Sequence, residues 1–155
     1  MYAIAIDGPA GAGKSSVAKA AAKALGFVYV DTGALYRTVG LYLLRSEVDP
    51  ADAEAVEPKL RDIQVDLKYE DGVQHVILNG EDVSGLIRTP EVSMAASACA
   101  SVPAVRKFLF SAQVDMAKKY NVIMDGRDIG TTILPNAQVK IFLTEIGRAS
   151  CRERV

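Results

Sequence analysis

Tyr2-Ala-Ile-Ala-Ile6 runs through Asp7 into Gly8-Pro-Ala-Gly-Ala-Gly-Lys-Ser-Ser16, and the reading of this stretch decides the fold. The apolar run reads as a buried strand. Directly after it comes a complete G-x-x-x-x-G-K-[ST] phosphate-binding loop, and residues 15 to 25, rich in Ala and Lys, read as a helix closed by a left-handed Gly26. In that order, glycines let backbone N–H groups converge on phosphate oxygens while the positive end of the helix dipole faces the anion. Gly8, Pro9, Ala10, Gly11, Ala12, Gly13, Lys14, Ser15 and Ser16 are therefore the expected ATP-binding residues. Lys14 reaches the outer phosphates, and the Ser15 hydroxyl can hold the Mg²⁺ that accompanies ATP. The alternative, a tight strand-to-helix turn with no ligand, is disfavoured by the strand–loop–helix context.

The same rhythm recurs along the chain. Phe27-Val-Tyr-Val30 is a short apolar strand ending in Asp31-Thr32-Gly33, and Leu35, Val39, Tyr42 and Leu43 then fall at helical spacing up to Asp49-Pro50. Val122-Ile-Met124 is a third strand running into Asp125-Gly-Arg-Asp128, and residues 139 to 143 form a fourth. Strand, polar turn and helix in repetition predict a parallel α/β sheet with ligands at the carboxyl ends of its strands. Residues 63 to 83 break the pattern: Ile63, Val65 and Leu67 alternate with polar residues, Asp71-Gly72 offers a turn, and residues 73 to 78 lead into Asn79-Gly80. A small antiparallel insertion is expected there. Thr89-Pro90 reads as the cap and first residue of an Ala-rich helix over 91–101, and after Pro103 an amphipathic helix continues to about Lys119.

Half of the 155 residues are apolar, enough to bury a core as one domain. A net charge of −1 and a pI near 5.8 supply no basic field for a nucleic-acid backbone, so the expected partners are small molecules. The two cysteines, Cys99 and Cys151, form neither a disulfide framework nor a metal spacing and are read as inert thiols of a reducing compartment. Asp7 interrupts the apolar run that a signal peptide would need, and no run approaches the roughly 18 apolar residues of a membrane span. The expectation is a cytoplasmic monomer with no nucleic-acid or membrane partner. His75, the one histidine, reads as a surface strand residue of the insertion.

The acceptor of a phosphoryl group must be held at the ends of the other strands. Asp125 closes an apolar strand as a Mg²⁺-organising carboxylate does, usually through a coordinated water; capping a helix is its alternative role. Arg37 lies one helical turn past Gly33 and Arg127 follows a glycine, so each could fork onto a phosphate monoester, although each alone would more often be a solvated surface arginine.

Together these segments resemble the bacterial cytidylate kinases, which phosphorylate CMP and dCMP with ATP. The resemblance runs through residues 6–14, 31–37 (Asp-Thr-Gly-Ala-Leu-Tyr-Arg), 80–89 (Gly-Glu-Asp-Val-Ser-Gly-Leu-Ile-Arg-Thr), 125–131 (Asp-Gly-Arg-Asp-Ile-Gly-Thr) and 139–143. It implies an α/β fold of the P-loop nucleoside monophosphate kinase type, a parallel sheet flanked by helices with a small antiparallel β insertion. The kinase core would span 1–145, with the monophosphate-binding insertion at about 62–100. By the same resemblance Lys14, Arg127 and Asp125 are catalytic, Arg37 and Arg127 hold the CMP phosphate, Thr32 sits beside the nucleotide, and Ser97, Arg106 and Asp128 face the cytosine. The blander roles are a helix-packing Ser97, a solvated Arg106 and a helix-capping Asp128. A carboxylate and an arginine complement the amine, N3 and O2 of cytosine, whereas uracil would leave them mispaired at about 1–3 kcal/mol per group. Kinases of this family continue further, with an arginine-bearing lid and an acidic residue toward the ribose. Residues 146–155 continue neither the apolar periodicity nor the family's sequence and are expected to be a non-native tail, so a fragment that binds nucleotides with little turnover, or another P-loop small-molecule kinase, is the competing reading. A GTPase is disfavoured because no Asn-Lys-x-Asp guanine signature occurs.

Overall fold

The computed structural model describes residues 1–9, 12–70, 73–126 and 128–144. Among these the order is β1 (Ala3–Asp7), α1 (Lys14–Leu25), β2 (Val28–Val30), α2 (Thr32–Arg45), α3 (Ala53–Val56), a 3₁₀ turn (Glu57–Asp62), β3 (Val65–Glu70), β4 (Val73–Leu78), β5 (Glu81–Asp82), α4 (Pro90–Cys99), α5 (Pro103–Lys119), β6 (Val122–Gly126), a π-helical turn (Ile129–Ile133) and β7 (Val139–Phe142). The chain divides into two compact units, 1–30 with 119–155, and 31–118.

The first unit carries a four-stranded parallel sheet in the order β2-β6-β1-β7. The parallel sheet expected from the strand–turn–helix rhythm is thus present. Interior strands of a parallel sheet are covered on both faces, which is why β1 is buried at every position and β6 from Val122 to Asp125. α1 lays Ala18 and Ala22 on Ile4, Ile6, Tyr29 and Ile123, its small residues allowing close approach to the sheet. It begins after Gly13 and ends at Gly26, both left-handed (φ 86° and 71°), and the Gly26 N–H closes on the Ala22 carbonyl.

The second unit pairs α2 with α4 and carries the expected antiparallel insertion as a three-stranded sheet, β3-β4-β5. Leu67 faces Val76 and Val65 faces Leu78, the register that turns the alternating apolar positions to one side. Asn79 and Gly80 both have positive φ (49° and 85°), the two-residue turn that sets β5 against β4. His75 is a half-buried strand residue whose Nδ1 lies 2.6 Å from Asp82 Oδ2. Thr89 caps α4 through the Val92 N–H, with Pro90 first in the helix, as its sequence predicts.

Three features depart from the sequence expectation. Asp31-Thr32-Gly33 is not a free turn: Asp31 accepts the Ala34 N–H at 3.2 Å, so α2 already begins at Thr32. After Pro50, Asp52 caps a short helix through the Glu54 and Ala55 N–H groups, where no element was expected. The segment after Asp128 coils into a π-helical turn, closed by the Leu134 N–H on the Ile129 carbonyl at 2.7 Å. The expected Asp71-Gly72 turn lies outside the described residues.

Candidate nucleotide-binding site

The residues expected to hold the donor lie in the first unit. No side chain caps the N-terminus of α1 and its first turn holds no acidic residue, so that turn sets no carboxylate of its own against the positive dipole end. Lys14 Nζ folds back to donate to the Pro9 carbonyl at 2.9 Å, while Ser15 and Ser16 are exposed in the first turn. Ala10 and Gly11 lie outside the described residues. Gly8 shows why the loop opens with glycine: its φ is 151°, its N–H donates to the Gly126 carbonyl at 3.2 Å, and a Cβ there would stand 2.2 Å from the Leu143 carbonyl oxygen.

Asp7, read from sequence only as the end of an apolar run, is buried and uses both carboxylate oxygens. Oδ1 accepts the Ile129 N–H at 2.7 Å and Oδ2 the Gly130 N–H at 2.8 Å, tying the start of the phosphate loop to the turn after Asp128. The available signal was physical: a carboxylate at the end of a fully buried strand must find donors.

Asp125 is also buried, at the end of β6, and accepts the Tyr29 hydroxyl at 3.0 Å on Oδ2. It caps no helix, because the next helical turn is flanked by Asp128. Asp128 stands in the capping position yet makes no side-chain cap bond, which leaves its exposed carboxylate for other partners. Arg127 lies outside the described residues, as do residues 146–155 and Cys151. The Ser15 hydroxyl and Asp125 carboxylate are hard oxygen donors, the set that suits Mg²⁺. Among the described residues no group of three or more His, Cys, Asp or Glu could hold a metal unaided. A Mg²⁺ bound through few protein ligands, phosphates and waters fits that arrangement.

Of the residues expected to hold the acceptor, Thr32, Arg37, Ser97 and Arg106 lie in the second unit. A cavity of about 310 Å³ opens between α2 and α4, lined by Gly33, Tyr36, Arg37, Ser93, Ala96, Ser97 and Ala100. Arg37 and Ser97 are therefore brought together. Ser97 is exposed to the cavity rather than spent on helix packing. The Arg37 Nε is buried without a hydrogen-bond partner, as is the Thr32 hydroxyl, and the guanidinium stands 3.6 Å from Asp31 Oδ2, an ion pair too long for a hydrogen bond. Arg106 is exposed on α5 and does not line the cavity. It is near enough to act on Tyr36: burial pushes that hydroxyl above its ordinary value, the Arg106 guanidinium opposes the shift, and Cys99 adds to it. Tyr36 and Ser93 are lining residues that sequence reasoning missed. Burial pushes the Cys99 thiol up to about 11, consistent with an inert side chain.

Known proteins are similar to this chain in sequence. The profile of the cytidylate kinase family, described as "Cytidylate kinase", matches residues 4–155. The cytidylate kinase of Caldicellulosiruptor bescii is 49% identical over 151 residues, covering 97% of this chain and 67% of that protein. That of Pelotomaculum thermopropionicum is 51% identical over 152 residues with the same coverage, and that of Lactobacillus gasseri 49% over 143 residues, covering 92% of this chain and 62% of its own length. A bifunctional pantoate ligase/cytidylate kinase of Synechococcus is 48% identical over 152 residues, 32% of its length. The chain thus spans about two thirds of the length of the single-function relatives named here.

Proposed function

The chain belongs to the cytidylate kinase family, and from that premise we propose that it moves the γ-phosphoryl group of ATP onto the phosphate of CMP and of dCMP. The family is one of nucleotide-binding transferases of pyrimidine metabolism, so the chain is an enzyme of that class. The observation that carries the substrate reading is the cavity of about 310 Å³ lined by Arg37 and Ser97, with the Arg37 Nε buried behind it and without a partner. A buried guanidinium nitrogen without an acceptor asks for an anion, and a phosphate monoester offers several oxygens in a geometry that fits the fork.

In this reading the loop over residues 8–16 holds ATP, with Lys14 on the outer phosphates. Arg37 and Arg127 hold the acceptor phosphate, Thr32 lies beside the nucleotide, and Ser97, Arg106 and Asp128 read the cytosine. The expected insertion over about 62–100 forms part of the unit that carries the acceptor cavity. Ser15 and, through water, Asp125 would hold Mg²⁺, which when bound supplies charge neutralisation for the phosphates. The acceptor phosphate is already anionic, so no side chain need remove a proton; the arginines and Lys14 stabilise charge as it spreads on the transferring group. Among the described residues no helix is long and apolar enough to cross a membrane, and the cysteine usage calls for no oxidising compartment. The reading is of a cytoplasmic monomer.

The test is phosphoryl transfer by the purified chain with ATP and Mg²⁺ to CMP, dCMP, UMP and AMP in parallel. Turnover favouring the two cytidine nucleotides supports the reading, whereas preference for UMP or AMP would overturn the assignment of Ser97, Arg106 and Asp128. Binding of both nucleotides without turnover would make the chain a binding module.

A further inference from the structure

We propose that Tyr29 is a positioning residue for the Mg²⁺ that accompanies ATP, acting through the Asp125 carboxylate; this rests on the reading of the phosphate loop, Ser15 and Asp125 as the Mg²⁺·ATP site. The placement is set by strand register. Tyr29 on β2 pairs with Ile123 on β6, so the two side chains share a face of the sheet, and Asp125, two residues on, shares it too. A tyrosine is long enough to reach that diagonal neighbour, and its hydroxyl donates to Asp125 Oδ2 at 3.0 Å.

The same ring touches the helix that carries the other expected Mg²⁺ residue. Tyr29 packs with Ala18 and Ala22 of α1, and Lys19 Nζ stands 5.8 Å from the ring centroid, within cation–π range. Lys19 lies four residues after Ser15, on the same face of α1. One side chain therefore bridges the helix bearing Ser15 and the strand bearing Asp125. The core needs only the ring, which phenylalanine would supply. The hydroxyl does something further: donating to one carboxylate oxygen fixes the rotation of the group and directs the other oxygen to accept from a metal-bound water. A carboxylate buried at the end of β6 and deprived of that donor turns toward whichever donors remain.

The experiment compares ATP binding with and without Mg²⁺, by calorimetry, in the unaltered chain, Tyr29→Phe, Asp125→Asn and the double variant, with thermal melts to establish that each folds. Tyr29→Phe is expected to leave Mg²⁺-free ATP affinity unchanged and to shrink the Mg²⁺-dependent gain by about threefold to tenfold, less than the full effect of a lost hydrogen bond to a charged group because the hydroxyl acts on the ion only through Asp125. Asp125→Asn should shrink the gain at least as much, and the double variant should lose no more than Asp125→Asn alone. An intact gain in Tyr29→Phe beside a reduced one in Asp125→Asn overturns the proposal and leaves the reading of Asp125 standing. An equal loss of affinity with and without Mg²⁺ assigns Tyr29 to the core alone, which also overturns it. An intact gain in Asp125→Asn removes the reading of that carboxylate, and the proposal with it.

Discussion

Arg37 stands in an electrostatic position that its helix does not require. Its Nε is buried without a partner and its nearest carboxylate, on Asp31, stays 3.6 Å away, so part of the guanidinium is desolvated and underused. A phosphate seated in the cavity would supply charge-assisted bonds worth about 1.5–3 kcal/mol each. Arg37→Met should therefore weaken CMP binding about 10- to 100-fold while leaving the affinity for cytidine, which lacks the phosphate, nearly unchanged. Calorimetry with the two ligands separates these, and an equal loss for both would assign Arg37 to packing. Cys99 makes the opposite case: its buried thiol is pushed from 9.0 up to about 11, so at pH 8 its thiolate fraction falls about a hundredfold. Alkylation of the Cys99 peptide, followed by mass mapping, should be slower than that of an ordinary thiol by at least about that factor until the chain unfolds, since burial also denies the reagent access. Arg37 was legible from its place one helical turn past Gly33, Ser97 only through the family resemblance. Asp7 was not, since its donors lie 122 and 123 residues away and no local pattern announces a pairing of that length.

Where elements meet, backbone approach decides more than side-chain size. α2 presents Gly40 to α4 so closely that a Cβ there would stand 2.9 Å from the Ala96 nitrogen and 3.2 Å from the Ala95 Cβ. Neither neighbour is the end of a flexible side chain, so Gly40→Ala must push the helices apart, at about 1–3 kcal/mol for overpacking. The same two helices frame the cavity, and the variant should lower both the melting temperature and CMP affinity while Mg²⁺·ATP binding holds. If CMP affinity survives a lowered melting temperature, the cavity tolerates the displacement and its walls are less committed than the contact implies. Elements with regular periods were legible: the strand before the phosphate loop, the Thr89 cap of α4, the alternation of β3 and β4, and the Asn79-Gly80 turn. The short helix after Asp52 and the π-helical turn after Asp128 were not. Each spans too few residues to show a period, and each is fixed by particular polar contacts, to Asp52 in one case and to Asp7 in the other.

At the scale of the chain, stability should have an alkaline limit set within the second unit. The folded state holds the Cys99 proton to about 11 while the unfolded chain releases it near 9.0, and Tyr36 is shifted upward as well. Native and unfolded chains hold the Cys99 proton alike below about pH 9, so the stability tied to this thiol is fully present there and is lost as pH rises through about 9 to 11. Cys99→Ala, which removes the thiol, should flatten part of that fall in denaturant titrations. The proposed division of donor and acceptor between the two units makes a sharper prediction. ATP with Mg²⁺ should slow amide exchange in α1 and at the end of β6, both in the first unit, whereas CMP should slow it in α2 and α4 of the second. The turn over residues 129–133 discriminates further: its Ile129 and Gly130 N–H groups rest on Asp7 beside the phosphate loop, but Asp128 stands at its head. Protection of that turn by CMP alone would tie Asp128 to the base, as proposed. Protection by ATP alone would assign the segment to the donor and leave cytosine recognition to Ser97 and Arg106.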